Sequence, residues 1–234
     1  MSRFHFSIII FFCISNVIFG QNNDLQKDYK EIKFGKYPGL QTGAVYPSKD
    51  PLLRDEPTLA EKQFQESKLE YEDFHFDRQL IKYDIFMDEL VISSQQFQNE
   101  IILNADLVSY AEFTDGTIIV KRHLNPSYKH HRNGFYRLVW SGEYELLSKH
   151  RKELQRFSSP SEYYKFFSTH TDYFVLKNEE WIPVESPNQL IKVLDVDKKE
   201  FKKHVRGLNL KFKRNKDEFL IELLKFSTNT RKAQ

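Results

Sequence analysis

Short segments in which polar and apolar residues alternate fill the middle of the chain, between residues 62 and 184. In residues 79–85, the apolar side chains of Ile81, Tyr83 and Ile85 alternate with those of Lys82 and Asp84, which is typical of a half-buried β-strand. Similar or short apolar segments predict further strands at residues 89–92, 100–103, 107–113, 116–122, 134–140, 143–148, 173–177 and 180–184.

Turn signals join these segments into successive hairpins. Asp115-Gly116, Ser141-Gly142 and Asn178-Glu179 each lie between two predicted strands. Parallel strands need long crossovers, which this part of the chain lacks, so the hairpins predict an antiparallel sheet. A sheet of seven to nine strands must curl, and we expect an open barrel or a two-layer sandwich.

Helix start signals cluster in the last third of the chain. Four capping boxes are present, namely Ser159 with Glu162, Ser186 with Gln189, Asp197 with Glu200, and Asn215 with Glu218. Phe201, Val205 and Leu208 recur at helical spacing, and residues 219–224 contain a second apolar stripe. The predicted fold is therefore α+β, an antiparallel sheet of seven to nine strands with C-terminal helices packed on it. Residues 228–234 are expected to fray.

The N-terminal residues have the pattern of an export signal. Arg3 and His5 precede a short apolar run at residues 8–17, and Gly20 is a small residue at the predicted cleavage site. The run is too short for a transmembrane anchor, which needs about 20 apolar residues. We expect residues 1–20 to be a cleaved signal peptide, residues 21–60 an extended lead-in, and residues 61–230 a single β-rich domain. The mature protein would be periplasmic or attached to the outer envelope, without a transmembrane segment.

The cysteine content restricts the chemistry of the mature chain. Cys13 is the one cysteine, and it lies inside the predicted signal. Removal of that signal would leave no thiol for disulfides, thiolate nucleophiles or cysteine-bound metals. The sequence also contains no nucleophile elbow, zinc-protease helix motif or phosphate-binding glycine loop.

The net charge of +2 is unevenly distributed along the chain. Residues 21–120 contain 10 Lys and Arg against 19 Asp and Glu, whereas residues 196–234 contain 12 against 5. Such a polarity can mark a docking face for a charged partner. The simpler interpretation, which we expect, is that the basic tail folds back against the acidic front. The basic C-terminal helix could contact nucleic acid or anionic lipid. Export argues against nucleic acid, and the interspersed apolar stripe indicates that the helix packs on the sheet.

Histidines and carboxylates supply the candidate reactive residues. His123, His130 and His131 lie near one predicted loop, but the sequence favours a solvated basic loop over a metal site, because adjacent histidines on an extended chain point apart. Asp84 and Asp88 could meet across a hairpin as a hydrolytic pair. The preferred interpretation is that both face solvent and that Asp88 shapes the turn. His204 is expected at the boundary of a helix.

Aromatic residues are frequent at alternating strand positions. They include Tyr71, Tyr83, Tyr110, Phe135, Tyr136, Trp140, Tyr163, Tyr164, Tyr173 and Trp181. Exposed on a sheet, such side chains suit stacking against sugars. At alternating positions they are more often part of the core, and that is the expectation here.

Several segments resemble a family of uncharacterised exported proteins from Bacteroidota-type bacteria. The similar segments are residues 80–90 (LIKYDIFMDEL), 133–138 (NGFYRL), 146–149 (LLSK) and 208–226. The resemblance spans roughly residues 50–230 and implies a cell-envelope setting. It implies no activity and no catalytic residue.

The sequence thus favours a non-enzymatic envelope protein that binds another envelope component. Two alternatives remain open at this point: a glycan-binding module that uses surface aromatic residues, and a hydrolase with paired carboxylates. No catalytic, cofactor-binding or metal-binding residue is assigned, no cofactor is expected, and the oligomeric state is left open.

Overall fold

The main element of the fold is a single antiparallel sheet of ten strands. The structure is a computed structural model that describes residues 38–59, 64–94 and 99–232. The strands are β1 (Gln65–Tyr71), β2 (Phe74–Asp84), β3 (Glu89–Ser94), β4 (Asn99–Ile102), β5 (Val108–Phe113), β6 (Ile118–Lys121), β7 (Phe135–Ser141), β8 (Glu145–Ser158), β9 (Tyr163–Lys177) and β10 (Glu180–Pro183). Three helices follow them: α1 (Pro187–Val193), α2 (Lys198–Gly207) and α3 (Lys216–Lys232). The predicted signal, residues 1–20, lies outside the described residues.

The strands form two meanders that join where β1 pairs with β5. Their order across the sheet is β10-β9-β8-β7-β6-β5-β1-β2-β3-β4. The antiparallel prediction is confirmed, but the strand count exceeds the predicted seven to nine. The strand that was not predicted is β1. Leu69 and Tyr71 are its only strongly apolar residues, so its alternation of polar and apolar positions is weak. The sheet is one open layer, so the sandwich alternative was wrong.

The open sheet is strongly curled. Four strands lie between β2 and β8, yet Lys152 of β8 donates its backbone N–H to the Ile85 carbonyl just after β2 (3.3 Å). The rings of Tyr83 and Phe135 also meet edge to face, with centroids 6.1 Å apart. Register shifts in β1 and β7 are irregularities that increase local bending. The curl brings β1–β7 around one apolar core, which includes Leu69, Ile81 and Phe135.

The C-terminal helices cover the part of the sheet that this core leaves open. Their apolar stripes, with Phe201 and Leu220 among the buried residues, pack with Leu146 and Val175 of β8 and β9 into a second core. The predicted caps of α1 and α2 are confirmed: Gln189 N–H donates to Ser186 Oγ (3.2 Å), and Glu200 N–H donates to Asp197 Oδ1 (2.7 Å). Helix α3 begins directly after Asn215, as predicted, and continues to Lys232. Residues 228–232, in the segment expected to fray, are helical in this structure.

The capping box at Ser159 and Glu162 does not start a helix. Ser159 Oγ does accept the Glu162 N–H (3.1 Å), but the bond closes the turn between β8 and β9. The strand prediction of 143–148 was also too short, because β8 continues to Ser158, and β9 begins at Tyr163 rather than at 173. A side-chain hydrogen bond between residues three apart is compatible with a turn as well as with a helix start. The pairing of β8 with β9 therefore decides which of the two forms.

The described part of the lead-in opens with a 3-10 helix (Pro38–Gln41), and its remainder, residues 42–59, crosses the sheet as a segment that we call the strap. Val45 forms a bridge with Ile101 at the β4 edge, Leu53 with Lys165 at the β9 edge, and Thr58 with Asp84. Backbone bonds from Tyr46 N–H to the Glu100 carbonyl (2.8 Å) and from Ile102 N–H to the Ala44 carbonyl (2.8 Å) cover β4. Unpaired strand edges promote non-native pairing, so the strap protects two of them.

Among the described residues, the basic tail forms no ion pair with the acidic front. Its described ion pairs are His204 and Lys225 with Glu222, and Asp217 with Arg137 of β7. No described Lys or Arg side chain after residue 196 forms an ion pair with a residue before 121. The expected folding of the tail onto the acidic front is not seen in the described residues, because the apolar stripes of the helices pack on β7–β10 instead.

Candidate binding site

The β8–β9 hairpin extends beyond the rest of the sheet. The pairing of β7 with β8 ends at Arg137 and Ser148, and that of β10 with β9 ends at Pro183 and Phe174. Beyond these points the two strands pair with each other as far as Ser158 and Tyr163. We call residues 151–170 the hairpin arm.

Exposed apolar side chains concentrate on the hairpin arm and on the strap beside it. They are Leu154 (37% exposed), Phe157 (39%) and Tyr163 (45%) on the arm, and Val45 (63%) and Leu52 (44%) on the strap. These are five of the eight large hydrophobic side chains that are exposed in the described residues. Leu154 and Phe157 lie on opposite faces of β8, so the arm exposes apolar side chains on both of its faces.

The β9 edge of the hairpin arm is covered by the strap. Lys165 N–H donates to the Leu52 carbonyl (2.8 Å), and its own carbonyl accepts from Arg54 N–H (3.0 Å). Phe167 N–H donates to a carboxylate oxygen of Asp55 (2.8 Å). The Arg54 guanidinium also stacks on the Tyr164 ring, 3.5 Å from its centroid. This edge therefore has no free donors at Lys165 or Phe167.

Among the described residues, no strand or strap segment pairs with the β8 edge of the hairpin arm beyond Lys152. The outward N–H of Lys152 donates to the Ile85 carbonyl. Because outward groups recur at every second residue of an antiparallel strand, the N–H and C=O of Leu154 and Arg156 also point away from β9. Within residues 38–59, 64–94 and 99–232, no backbone group hydrogen-bonds to these outward groups. Within the described part of the chain, the arm thus presents a strand edge without a backbone partner next to its exposed apolar side chains.

A groove of about 480 Å³ lies beside this edge, between the strap, the arm and the β2–β3 turn. Leu154 and Phe167 of the arm and Phe86 of the turn line it, and the Phe86 and Phe167 rings are 5.0 Å apart. The charged side chains of the groove form pairs: Lys49 with Glu56 (2.6 Å), Lys82 with Glu100 (2.5 Å) and Lys165 with Asp50 (2.6 Å). The groove therefore combines apolar side chains with charged side chains that are paired with one another.

Asp84 links the strap to the β2–β3 turn in the wall of this groove. Its carboxylate is buried, accepts the backbone N–H groups of Phe86 (2.8 Å) and Met87 (2.7 Å), and accepts the Tyr46 hydroxyl (2.5 Å). Burial and the adjacent carboxylate raise the pKa of Tyr46. The expectation that Asp84 faces solvent was wrong, because the strap covers the polar face of β2.

Asp88 forms a second, separate buried cluster. Its Oδ1 accepts from the Tyr83 hydroxyl (2.6 Å) and the Lys149 ammonium (2.6 Å), and its Oδ2 accepts Asn133 N–H (3.0 Å). Lys149 also donates to the Phe135 carbonyl (2.7 Å). Burial raises the pKa of Asp88 and lowers that of Lys149. The solvent-facing prediction fails here too, because the curl encloses the turn. Each aspartate has its own structural donors, so the geometry does not favour a hydrolytic pair.

A smaller cavity of about 280 Å³ opens on the concave face, and Arg137 and His150 line it. Arg137 pairs with Asp217 of α3, which also accepts the Tyr173 hydroxyl (2.5 Å). His150 lies within hydrogen-bond distance of Ser148 Oγ (3.1 Å). Burial lowers the pKa of His150 to about 4, so the ring is neutral at pH 7. Ser148 is fully buried and unreachable for a substrate.

The polar network of Arg137, Asp217, Ser148 and His150 was not predicted from the sequence. His150 lies two residues after Ser148, as expected for neighbours on one strand face, but the predicted strand ended at Ser148. The distance in sequence between Arg137 and Asp217 also hides their pairing. No periodic signal extends the predicted strand beyond Ser148, because Lys149 and His150 are both polar.

The histidine candidates do not converge. His131 Nδ1 lies 2.8 Å from the Tyr136 hydroxyl, whereas His130 packs edge to face on Tyr128. His204 is exposed on α2 and pairs with Glu222. Among the described residues, no three His, Cys, Asp or Glu side chains are grouped as metal ligands would be.

Most of the candidate aromatic side chains lie in the core, as expected. Buried are Tyr71, Tyr83, Phe135, Tyr136 and Tyr173, half-buried are Tyr110, Trp140, Tyr164 and Trp181, and exposed is Tyr163. Among the described residues, the exposed large aromatic side chains are Phe157 and Tyr163 at the tip of the hairpin arm, where Phe157 stacks on Tyr164 (4.8 Å between centroids).

None of the described helices is long and apolar enough to cross a membrane. Comparison of the chain with known protein families, with characterised proteins and with solved structures found no match.

Proposed function

We propose that this protein is an exported, non-enzymatic binding protein that holds an extended segment of another envelope protein against its hairpin arm. The open β8 edge carries the proposal. An extended peptide can add a strand to such an edge through main-chain hydrogen bonds, while its alternate side chains enter adjacent pockets. Leu154 and Arg156 supply the outward backbone groups, and the groove beside Leu154 supplies the apolar pocket.

The protection of the other sheet edges supports this assignment. The strap covers β4 and the arm's β9 edge, and the outermost strand β10 is four residues long and ends in Pro183. Natural sheets protect edges by covering, shortening or adding proline. The β8 edge beside exposed Leu154 has none of these protections among the described residues. A partner strand that covers this edge would explain why.

The compartment is part of the same proposal. The residue pattern of the export signal and the resemblance to exported proteins from Bacteroidota-type bacteria support a periplasmic or outer-envelope location. We propose that the signal is cleaved after Gly20 and that the partner is an envelope protein met after export.

Photo-crosslinking in the native cell tests the strand-addition site. A photoreactive phenylalanine in place of Phe157 is expected to form a defined crosslinked product with one partner protein. Arg156→Pro should abolish that product, because proline removes one outward N–H and is tolerated where the N–H leaves the sheet. Arg156→Ala, the matched control, should keep it, since it removes the side chain but retains the N–H.

The same experiment also has a positional control. A crosslinker in place of Val193, which is 49% exposed on α1, should not give that product. Equal crosslinking by Arg156→Pro and Arg156→Ala would show that the backbone edge is not used, and the strand-addition proposal would fail.

Glycan binding is a second candidate because of the groove. Its volume of about 480 Å³ lies in the range of small-ligand sites, and the Phe86 and Phe167 rings offer apolar faces next to paired charges. A glycan array distinguishes the two functions. Binding that is lost on Phe167→Ala and retained by Arg156→Pro would support the glycan candidate, and a blank array at millimolar ligand would remove it.

A further inference from the structure

Helix α2 and the turn after it carry an unusually dense set of exposed cations. Residues 198–214 contain eight Lys and Arg against one carboxylate, Glu200. The cations are Lys198, Lys199, Lys202, Lys203, Arg206, Lys211, Lys213 and Arg214, and all eight are exposed. None of them forms an ion pair with a described residue. We call these eight residues the basic face.

The arrangement on α2 is costly for an isolated helix. Lys198, Lys202 and Arg206 follow one another at i, i+4 and i+8, while Phe201 and Val205 are buried on another side. Like charges at i, i+4 destabilise a helix by about 0.2–0.5 kcal/mol per pair. A polyanionic surface would remove that repulsion, so the pattern indicates a partner with closely spaced negative charges.

We propose that the basic face docks on a membrane surface rich in anionic phospholipid. Clusters of four to eight Lys and Arg bind such surfaces because each cation near the negative headgroups adds to the attraction. Leu208 lies between Arg206 and Lys211 in the chain and is 49% exposed, so an apolar side chain is available at headgroup depth. Docking would fix the orientation of the protein on the membrane, independently of the hairpin arm.

The surroundings of the basic face favour lipid over nucleic acid. Sites for single-stranded nucleic acid place exposed aromatic rings between the cations as stacking platforms. Phe201 is buried, and Phe212 is half-buried against the second core, so neither ring offers a free face of that kind. The apolar side chain exposed in this segment is the aliphatic Leu208.

Vesicle co-sedimentation with the full chain tests the proposal. The protein is expected to bind vesicles of equal parts phosphatidylglycerol and phosphatidylethanolamine, and to bind phosphatidylcholine vesicles far more weakly. The triple variant Lys198→Gln, Lys202→Gln, Arg206→Gln should bind the anionic vesicles about 100-fold more weakly, at about fivefold for each cation. Its thermal stability should not fall, because like-charge pairs are removed and glutamine is a good helix former.

The matched control changes the same number of cations elsewhere. Lys68→Gln, Arg78→Gln, Lys129→Gln alters three exposed cations outside the basic face and should change binding by less than about threefold. Residues 1–20 are identical in all variants, so the apolar N-terminal run cannot produce a difference between them.

Three results would overturn the proposal. They are equal binding to anionic and phosphatidylcholine vesicles, equal losses in the two triple variants, and tighter binding to a single-stranded oligonucleotide than to anionic vesicles. The last result would identify a nucleic-acid site instead. A loss of about fivefold for Leu208→Ser on anionic vesicles would support insertion of this side chain at the interface.

Discussion

Replacing Lys149 by methionine is expected to lower the free energy of unfolding by about 3–5 kcal/mol. Lys149 and Asp88 are each only 2% exposed, and their ion pair spans 2.6 Å. Without the ammonium group, the Asp88 carboxylate stays buried against Tyr83 with no cation beside it. The same pair joins the β2–β3 turn to β8, so its loss also weakens the curl of the sheet. Urea denaturation at pH 7 measures the change.

The control removes both charges at once. Asp88→Asn combined with Lys149→Met should be more stable than Lys149→Met alone, because no uncompensated charge is then buried. The deficit of Lys149→Met should also shrink as the pH falls. The reason is that burial raises the pKa of Asp88 in the folded protein above the ordinary value of 3.8, so protonation of Asp88 in acid favours the folded form of the variant. A loss below about 1 kcal/mol, or one independent of pH, would contradict this role of the pair.

The second large effect is a pH dependence that His150 imposes on stability. Burial lowers its folded pKa to about 4 from the ordinary 6.5. The stability that the neutral ring contributes is complete above pH 6.5 and is lost as the pH falls toward 4, because the unfolded chain takes up the proton first. Between pH 7 and pH 5 the wild type should lose about 2 kcal/mol more than His150→Gln.

Urea denaturation at several pH values between 4 and 7.5 measures this difference. Glutamine keeps a donor and an acceptor for Ser148 and Thr171 but does not titrate in this range. Parallel curves for the wild type and His150→Gln would show that His150 is not held neutral in the folded protein.

The hairpins and two of the helix caps could be predicted because their signals are local. Asp115-Gly116 forms its turn with Gly116 at φ +83°, a conformation that glycine adopts readily. Ser186 and Asp197 cap α1 and α2 through side-chain bonds to nearby backbone N–H groups. Each of these outcomes depends on a few neighbouring residues.

The candidate site was hidden from the sequence because it depends on contacts between distant segments. Residues 149–158 contain Arg151, Lys152 and Glu153, and their polarity conceals the continuation of β8. Pairing with β9 decides the conformation there, and the strap then covers one edge of the hairpin arm and leaves the other free. The burial of Asp84 likewise comes from Tyr46, which lies 38 residues away.

The charge asymmetry of the chain and a docking face as one of its consequences were recognised from the sequence, but the position of that face was not. The apolar stripes of α2 and α3 determine where the tail docks, and they place it on β7–β10. The cations on the remaining sides of α2 then face outward. Composition alone does not say which side of a helix is covered, so the basic face needed the packing to become visible.

Amide hydrogen exchange of the purified protein tests the free edge most directly, since it compares the two edges of one hairpin. The outward N–H groups of Leu154 and Arg156 should exchange orders of magnitude faster than those of Lys165 and Phe167, which donate to Leu52 and Asp55. Addition of the crosslinked partner should slow the exchange of Leu154 and Arg156. Equally slow exchange at all four amides in the isolated protein would contradict the account, because no open edge would then remain for a partner strand.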